Sequence, residues 1–283
     1  MRFSTVLFAA VLAFSWAPGA RAASPEDDAE PDWDARILSA DGDVKVSLAG
    51  AGEEAAIPAK KDMPLNAGDK VVTGLKSRAE LALGPDNLLE LGPGASAVVE
   101  SVKKAEGTMS LLKGCLVAKM KMMLNQRFWV RTPTAVAAVR GTEFAVEVVE
   151  GDGEADARTV VGVFDEGKLG VTSLDDESAT ERLLSENMEA DFRKGEPPGE
   201  SRKLQFLKDR AARVKYFRGR MAEVRERFKR FSREERERIR GQMDERRQEI
   251  HRRIEEGPSM RPERLREMRE KRKEGRGRKG PRP

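Results

Sequence analysis

Histidine, cysteine and tyrosine each occur once in 283 residues, as His251, Cys115 and Tyr216, and aromatic residues make up only 5% of the chain. One histidine and one cysteine cannot build a zinc site of the His/Cys type. Any Ser-His-Asp or Cys-His unit would have to recruit His251 from a highly charged stretch where no cysteine or second histidine is near, so it is read as a solvated helix-surface residue. Neither G-x-x-x-x-G-K-[ST] nor a strand–G-x-G-x-x-G–helix is present, which excludes phosphate-loop chemistry. A lone cysteine forms no internal disulfide, so stability must come from a packed core; Cys115, inside the apolar run Leu111–Val117, reads as a buried small hydrophobe rather than a reactive thiol. The acidic segment Gly151–Asp156 lacks the carboxylate at the far end of a full calcium loop and reads as a long hairpin turn. No metal, cofactor or catalytic set is expected, and the chain is read as a non-enzyme.

Long apolar runs are scarce as well. The one candidate, Phe3–Ala17, is shorter than the roughly 20 residues that span a bilayer. With Arg2 ahead of it and Ala20-Arg21-Ala22 behind, it reads as a signal peptide cleaved after Ala22. The expected location is the periplasm or cell envelope.

Charge is plentiful and unevenly placed. Residues 201–283 carry 31 basic and 15 acidic side chains, which leaves 22 basic and 34 acidic to residues 1–200, although the net charge is only +4. An acidic body is thus followed by a basic tail. The expected organisation is a signal peptide at 1–22, an acidic disordered leader at 23–34, a β domain at 35–194, a linker at 195–202, amphipathic then charged helices at 203–256, and a basic, largely disordered tail at 257–283.

Between residues 35 and 194 short segments alternate apolar and polar residues, as in Val44, Val46, Leu48; Ala79, Leu81, Leu83; Phe144, Val146, Val148; and Val161, Val163. That period of two predicts strands with one face on a core and the other in water. Turn chemistry such as Asn66–Asp69, Gly84–Asn87 and Gly92–Gly94 separates them. The absence of crossover helices excludes parallel α/β folds. The fold class expected is an all-β sandwich, roll or solenoid followed by a long α-helical, highly charged tail.

In that tail Leu204, Leu207, Ala211, Val214, Phe217, Met221, Val224, Phe228 and Phe231 recur at spacings of three and four, an amphipathic stripe close to a heptad. Ser232 and Glu235 form a capping box that restarts the helix. Leu204, Leu207, Val214, Phe217, Met221, Val224, Phe228 and Phe231 are the candidate contact stripe, facing a protein partner or a second copy in a homo-oligomer. The positive charge has several candidate counterparts: the chain's own acidic β domain, a second copy, an anionic envelope polymer or membrane surface, and, disfavoured by export, nucleic acid.

One segment carries a further signal. In Phe128–Val146 an apolar strand meets Pro133, which cannot donate to a central ladder. A second apolar stretch then bears a single cation, Arg140, directly before Gly141, where a bulge or a positive φ is expected. "TPTAVAAVRGTEFAV" resembles the signature of the FecR domain, the module named for the iron-dicitrate signalling regulator. The order of neighbouring motifs agrees: "GDVKVSL", "PLNAGDKVVTGLKSRAELALGPDNLLELGPGASAVV", "GCLVAKM" and "TVVGVFDEGKLGVTS". The resemblance covers roughly residues 40–192 and is weakest at Asn187-Met188, where the family often has Gly-Gln. It implies an extracytoplasmic all-β module that works by protein contact, in the regulators between an outer-membrane transporter and a sigma factor. Only Met1 precedes Arg2, so the anti-sigma segment of those regulators is not expected, and the stand-alone exported type is. The matching signature residues Thr132, Pro133, Val139, Arg140, Gly141, Thr142 and Phe144 are read as structural. The function expected is a non-catalytic binding or scaffold module of the envelope, with an accessory part in envelope signalling as the alternative.

Overall fold

The structure, a computed structural model, describes residue 32 and residues 34–256 apart from 152–156 and 175–180. The signal peptide, all but the last residues of the acidic leader, the centre of the Gly151–Asp156 turn and the tail beyond Glu256 lie outside the described residues. In chain order the strands are β1 Ala35–Asp41, β2 Val44–Ser47, β3 Ile57–Pro58, β4 Lys70–Thr73, β5 Arg78–Leu83, β6 Leu88–Leu91, β7 Ser96–Ser101 and β8 Gly107–Lys119. They continue as β9 Phe128–Arg131, β10 Ala135–Val139, β11 Glu143–Val149, β12 Arg158–Val163, β13 Leu169–Ser173, β14 Glu181–Leu184, β15 Met188–Arg193 and β16 Arg202–Lys203. Two helices follow, α1 Ala211–Arg230 and α2 Arg233–Glu255.

The strands form two layers that share β8. The first layer runs β1-β5-β6-β8-β11-β12-β15-β16, all antiparallel. The second runs β3-β2-β4-β7-β8-β9-β10-β13-β14, antiparallel except at β8–β9, which is parallel. The first half of β8 pairs in the second layer, up to Lys113, and its second half, from Gly114, in the first. Between the layers lies one core in which alternate residues meet, among them Ile37, Leu81, Leu89, Leu111, Leu116, Val130, Phe144, Val161, Val171 and Phe192. This is the two-layer solution open to sheets that each bury an apolar face.

The changeover falls at Gly114, whose φ is +78°. An added Cβ there would stand 2.6 Å from the Ala95 backbone Cα, so the position needs both a left-handed backbone and no side chain. Gly114→Ala is expected to cost about 1–3 kcal/mol, read as a lower urea midpoint. An unchanged midpoint would show that β8 changes layers without strain.

The simple in-and-out expectation holds for the second layer and fails for the first. Residues Ala79–Leu83, Leu88–Leu91 and Thr159–Val163 are buried without interruption. The reason is a second cluster on the outer face of the first layer, where Leu38, Ala82, Leu88, Cys115, Val117, Ala145, Val160 and Phe164 meet Leu207, Val214, Phe217, Met221, Val224 and Phe228. The apolar stripe of α1 is therefore covered by the chain's own sheet. Its heptad-like spacing serves helix-on-sheet packing. Leu204 packs against the same cluster, and Phe231 is half-buried. Helix α2 starts at Ser232, whose Oγ accepts from the Glu235 N–H at 3.1 Å. It brings Met243 and Ile250 to the edge of the main core. Among the described residues no helix is long and apolar enough to cross a membrane.

Candidate functional site

The outer face of the first layer is acidic as well as apolar, and strand register places the acids. Glu80 of β5 stands opposite Glu90 of β6, Glu143 of β11 opposite Lys119 of β8, and Glu147 opposite Cys115. Glu80, Glu90, Glu143 and Glu189 are all buried. A like-charged pair directly across two strands is destabilising unless something cationic joins it. Arg213 does so, donating to Glu80 at 3.2 Å and also to Glu90, while Arg220 pairs with Glu80 from two turns further along.

Arg210, just ahead of the helix, and three further arginines within it repeat the arrangement. Arg210 reaches Glu147 at 2.9 Å, Arg218 reaches Glu143 at 2.7 Å and Asp165 at 3.1 Å, Arg225 reaches Asp86 at 2.7 Å, and Arg227 reaches Asp62 at 2.5 Å. The approach to the helix is anchored by Glu189, which accepts from the Arg202 Nε and from the backbone N–H groups of Phe206 and Leu207 at 3.0, 3.2 and 3.0 Å. Gly162 leaves room here, for a Cβ on it would lie 2.8 Å from Leu204 and 2.9 Å from Leu207. Most of the positive charge that the sequence offered to several partners is, along α1, matched to carboxylates of the same chain. Charged hydrogen bonds of this kind fix register as well as adding energy.

The electrostatics of the face follow from burial set against these pairs. Burial alone would raise the Glu143 carboxyl, but hydrogen bonds from Arg218 and Lys119 outweigh it and hold the group below the ordinary glutamate value. At Glu90 burial wins over the Arg213 pair, with Glu80 adding to it, and the carboxyl is raised. The two groups therefore act on stability with opposite sign. Glu143 contributes stability that is present above the ordinary glutamate pKa and lost as pH falls through the depressed value. Glu90 costs stability as pH rises from the ordinary value through the raised one. Urea midpoints followed through the carboxylate range should show Glu143→Gln flattening the acid-side decline and Glu90→Gln flattening the opposing slope. Parallel profiles for both variants and the parent would contradict this assignment.

Cys115 faces α1 in the same cluster. Burial, with the Glu147 carboxylate beside it, pushes its thiol up to about 12. It is a protonated, inert group at neutral pH.

The signature residues do not form one constellation; they divide between the two ends of β10. At one end the Thr132 Oγ1 accepts from the Ala135 N–H at 2.9 Å and from the Thr159 hydroxyl at 2.8 Å, while Thr134 donates to Thr159 at 2.7 Å, tying the Pro133 turn to β12. At the other end Gly141 has φ +83°, and the Thr142 hydroxyl donates to the Lys168 carbonyl at 2.9 Å. Val139 and Phe144 lie in the main core. Arg140 turns outward, its side chain 71% exposed and its nearest carboxylate, Glu181, at 3.9 Å. His251 packs beside Gly50 on the flank of the sandwich.

Two buried features escaped sequence reading. Asp69 accepts from both terminal nitrogens of Arg247 on α2 and from the backbone N–H groups of Ala49 and Asn66. Arg36, paired with Asp34, lies between the Phe228 and Phe231 rings at 5.1 and 4.9 Å. Each acid is a single charged residue beside turn chemistry, a pattern that also describes solvated turns.

Residues 69–167 match the family model described as FecR protein, a narrower span than the ordered motifs suggested. No curated protein matches the chain. Two crystal structures described as a "putative anti-sigma factor from Parabacteroides distasonis" are similar at 16% identity and TM-score 0.42, covering 50% of this chain and 62% and 63% of theirs. The chain thus spans less than two thirds of the length of these solved structures.

Proposed function

We propose that this chain, which carries a FecR match at residues 69–167, is a non-catalytic protein-contact module of the cell envelope. The observation that carries the reading is the use made of the signature. Its threonines, glycine and apolar core residues hold the two ends of β10 in the fold, while Arg140 is presented to solvent at one end and Pro133 at the other. Export by the apolar run Phe3–Ala17 belongs to the same proposal. An accessory part in envelope signalling is the second reading, and the FecR match favours it.

Binding of anionic polymers loses support along the helices, where arginines face the chain's own acids, and rests on residues 257–283. The test is fractionation of a producing cell with N-terminal sequencing, followed by photo-crosslinking from the envelope fraction. A chain beginning at Ala23 and crosslinked to a discrete protein is the expected result. An intact chain in the cytosol, or no crosslinked protein, would defeat the reading.

A further inference from the structure

The two layers are covered unequally. Helix α1 lies over the outer face of the first, whereas on the second the register sets Thr108, Trp129, Ala138, Gly170 and Leu183 side by side on a face with no helix over it among the described residues. Leu183 is 54% exposed, and in the loop between β8 and β9 Met123 and Leu124 are 70% and 104% exposed. Large apolar side chains held in water at neighbouring positions mark contact surfaces more often than scattered ones do.

Where the loop meets β9 and β10 there is a hollow of about 600 Å³, walled by Met122, Met123, Leu124 and Trp129, with Arg127 and Arg140 at its rim. Trp129 also lines a neighbouring hollow of about 450 Å³ across the same face. The first hollow has no carboxylate in its lining. Arg127 makes no ion pair among the described residues, and Arg140 reaches Glu181 only at 3.9 Å. This contrasts with α1, where Arg213, Arg218, Arg220, Arg225 and Arg227 meet carboxylates at hydrogen-bond distance.

We propose that this hollow receives a segment of a partner protein in which one or two large apolar side chains are flanked by aspartate or glutamate. The volume lies within the range of small binding sites. Methionine walls adapt to varied apolar shapes, tryptophan and arginine are the residue types that dominate contact energetics, and two rim cations without close counter-ions call for acids. The proposal rests on the protein-contact reading and gives it a place and a chemistry. It also assigns Arg140, the outward-facing cation of the signature, a role that its neighbours do not share.

The test uses the full chain and fluorescein-labelled peptides of three designs: Asp-Asp-Leu-Phe-Asp-Asp, the same apolar pair flanked by lysines, and the acidic flanks around Gly-Gly. Only the first should bind, more weakly as salt rises. Arg127→Glu with Arg140→Glu, and separately Trp129→Ala, should each weaken it at least ~tenfold, with the urea midpoint and the protection of Cys115 unchanged. Equal binding of all three peptides, no binding of the first, or variants that bind like the parent would overturn the proposal. So would phosphatidylglycerol vesicles that need the same arginines while the peptides do not bind, since the surface would then be a lipid site. A crosslinked envelope partner that still binds the double arginine variant would sink the assignment of the hollow and leave the protein-contact reading standing. Peptide binding without any crosslinked partner would do the reverse.

Discussion

Phe217→Ala is expected to cost about 3–5 kcal/mol of stability and to expose the chain's one thiol to Ellman's reagent. Phe217 is fully buried against the first layer, in the cluster that contains Leu88, Val117, Phe164 and Cys115. Deleting the ring loses its transfer free energy and leaves a void between a helix and a sheet that are each stiff, so collapse recovers little. The arginine pairs on either side cannot substitute for it. Arg218 and Arg225 are more than one-third exposed, and ion pairs in contact with water contribute little apiece. Packing therefore carries the docking energy and the charges fix its register. In the parent chain Cys115 should label only as fast as α1 lifts or the whole molecule unfolds. In Phe217→Ala labelling should quicken well before the sandwich melts, and Phe217→Leu should fall between the two. Parent-like labelling in Phe217→Ala would show that the thiol is sealed by the sheet alone.

Asp69→Ala should be comparably severe, again about 3–5 kcal/mol. Asp69 is fully buried and receives Arg247 at 2.5 and 2.6 Å, with the Ala49 and Asn66 N–H groups at 3.1 and 2.8 Å. Its loss strands a guanidinium that is itself buried and leaves two backbone donors without their acceptor. The penalty lies in the uncompensated cation more than in the pair. Asp69→Asn with Arg247→Met, which keeps an acceptor for the backbone and removes the charge, should therefore be milder than Asp69→Ala alone, a coupling that a double-mutant cycle reads directly. A double variant as damaged as the single one would reject the ion pair as the cause.

Much of the sandwich was legible, because a period of two survives in sequence wherever one face of a strand is buried. Val44, Val46 and Leu48, or Phe144, Val146 and Val148, point inward as their spacing requires. The covering of the first layer was legible only in part. Glu80, Glu90, Glu143 and Glu147 sit at the outward positions of their strands, which is also where a solvated sheet places glutamate, so the residues alone do not separate water from a helix as their surroundings. The apolar stripe of α1 showed that something would cover it, and the charge split between body and tail allowed the β domain among other counterparts. Neither could choose, because an amphipathic face is equally satisfied by a sheet and by a second helix. The hollow at Trp129 left no trace at all in linear order. It joins a loop after β8 to Arg140 at the end of β10, and only the register of β9 against β10 brings them together.

Strand β8 belongs to both layers, with β7 and β9 beside its first half and β6 and β11 beside its second. Neither layer can come apart without pulling on the backbone that the other needs, so heat or denaturant should meet a single cooperative transition. The ends of the family match, residues 69–167, leave outside β1 and β2, the neighbours of β5 and β4, and β13 and β15, the neighbours of β10 and β12. An excised fragment with those ends would carry four raw ladders of unpaired amides and invite edge-to-edge association. The smallest piece that can stand alone is set by where hydrogen-bonded neighbours run out, well beyond the limits of recognisable kinship.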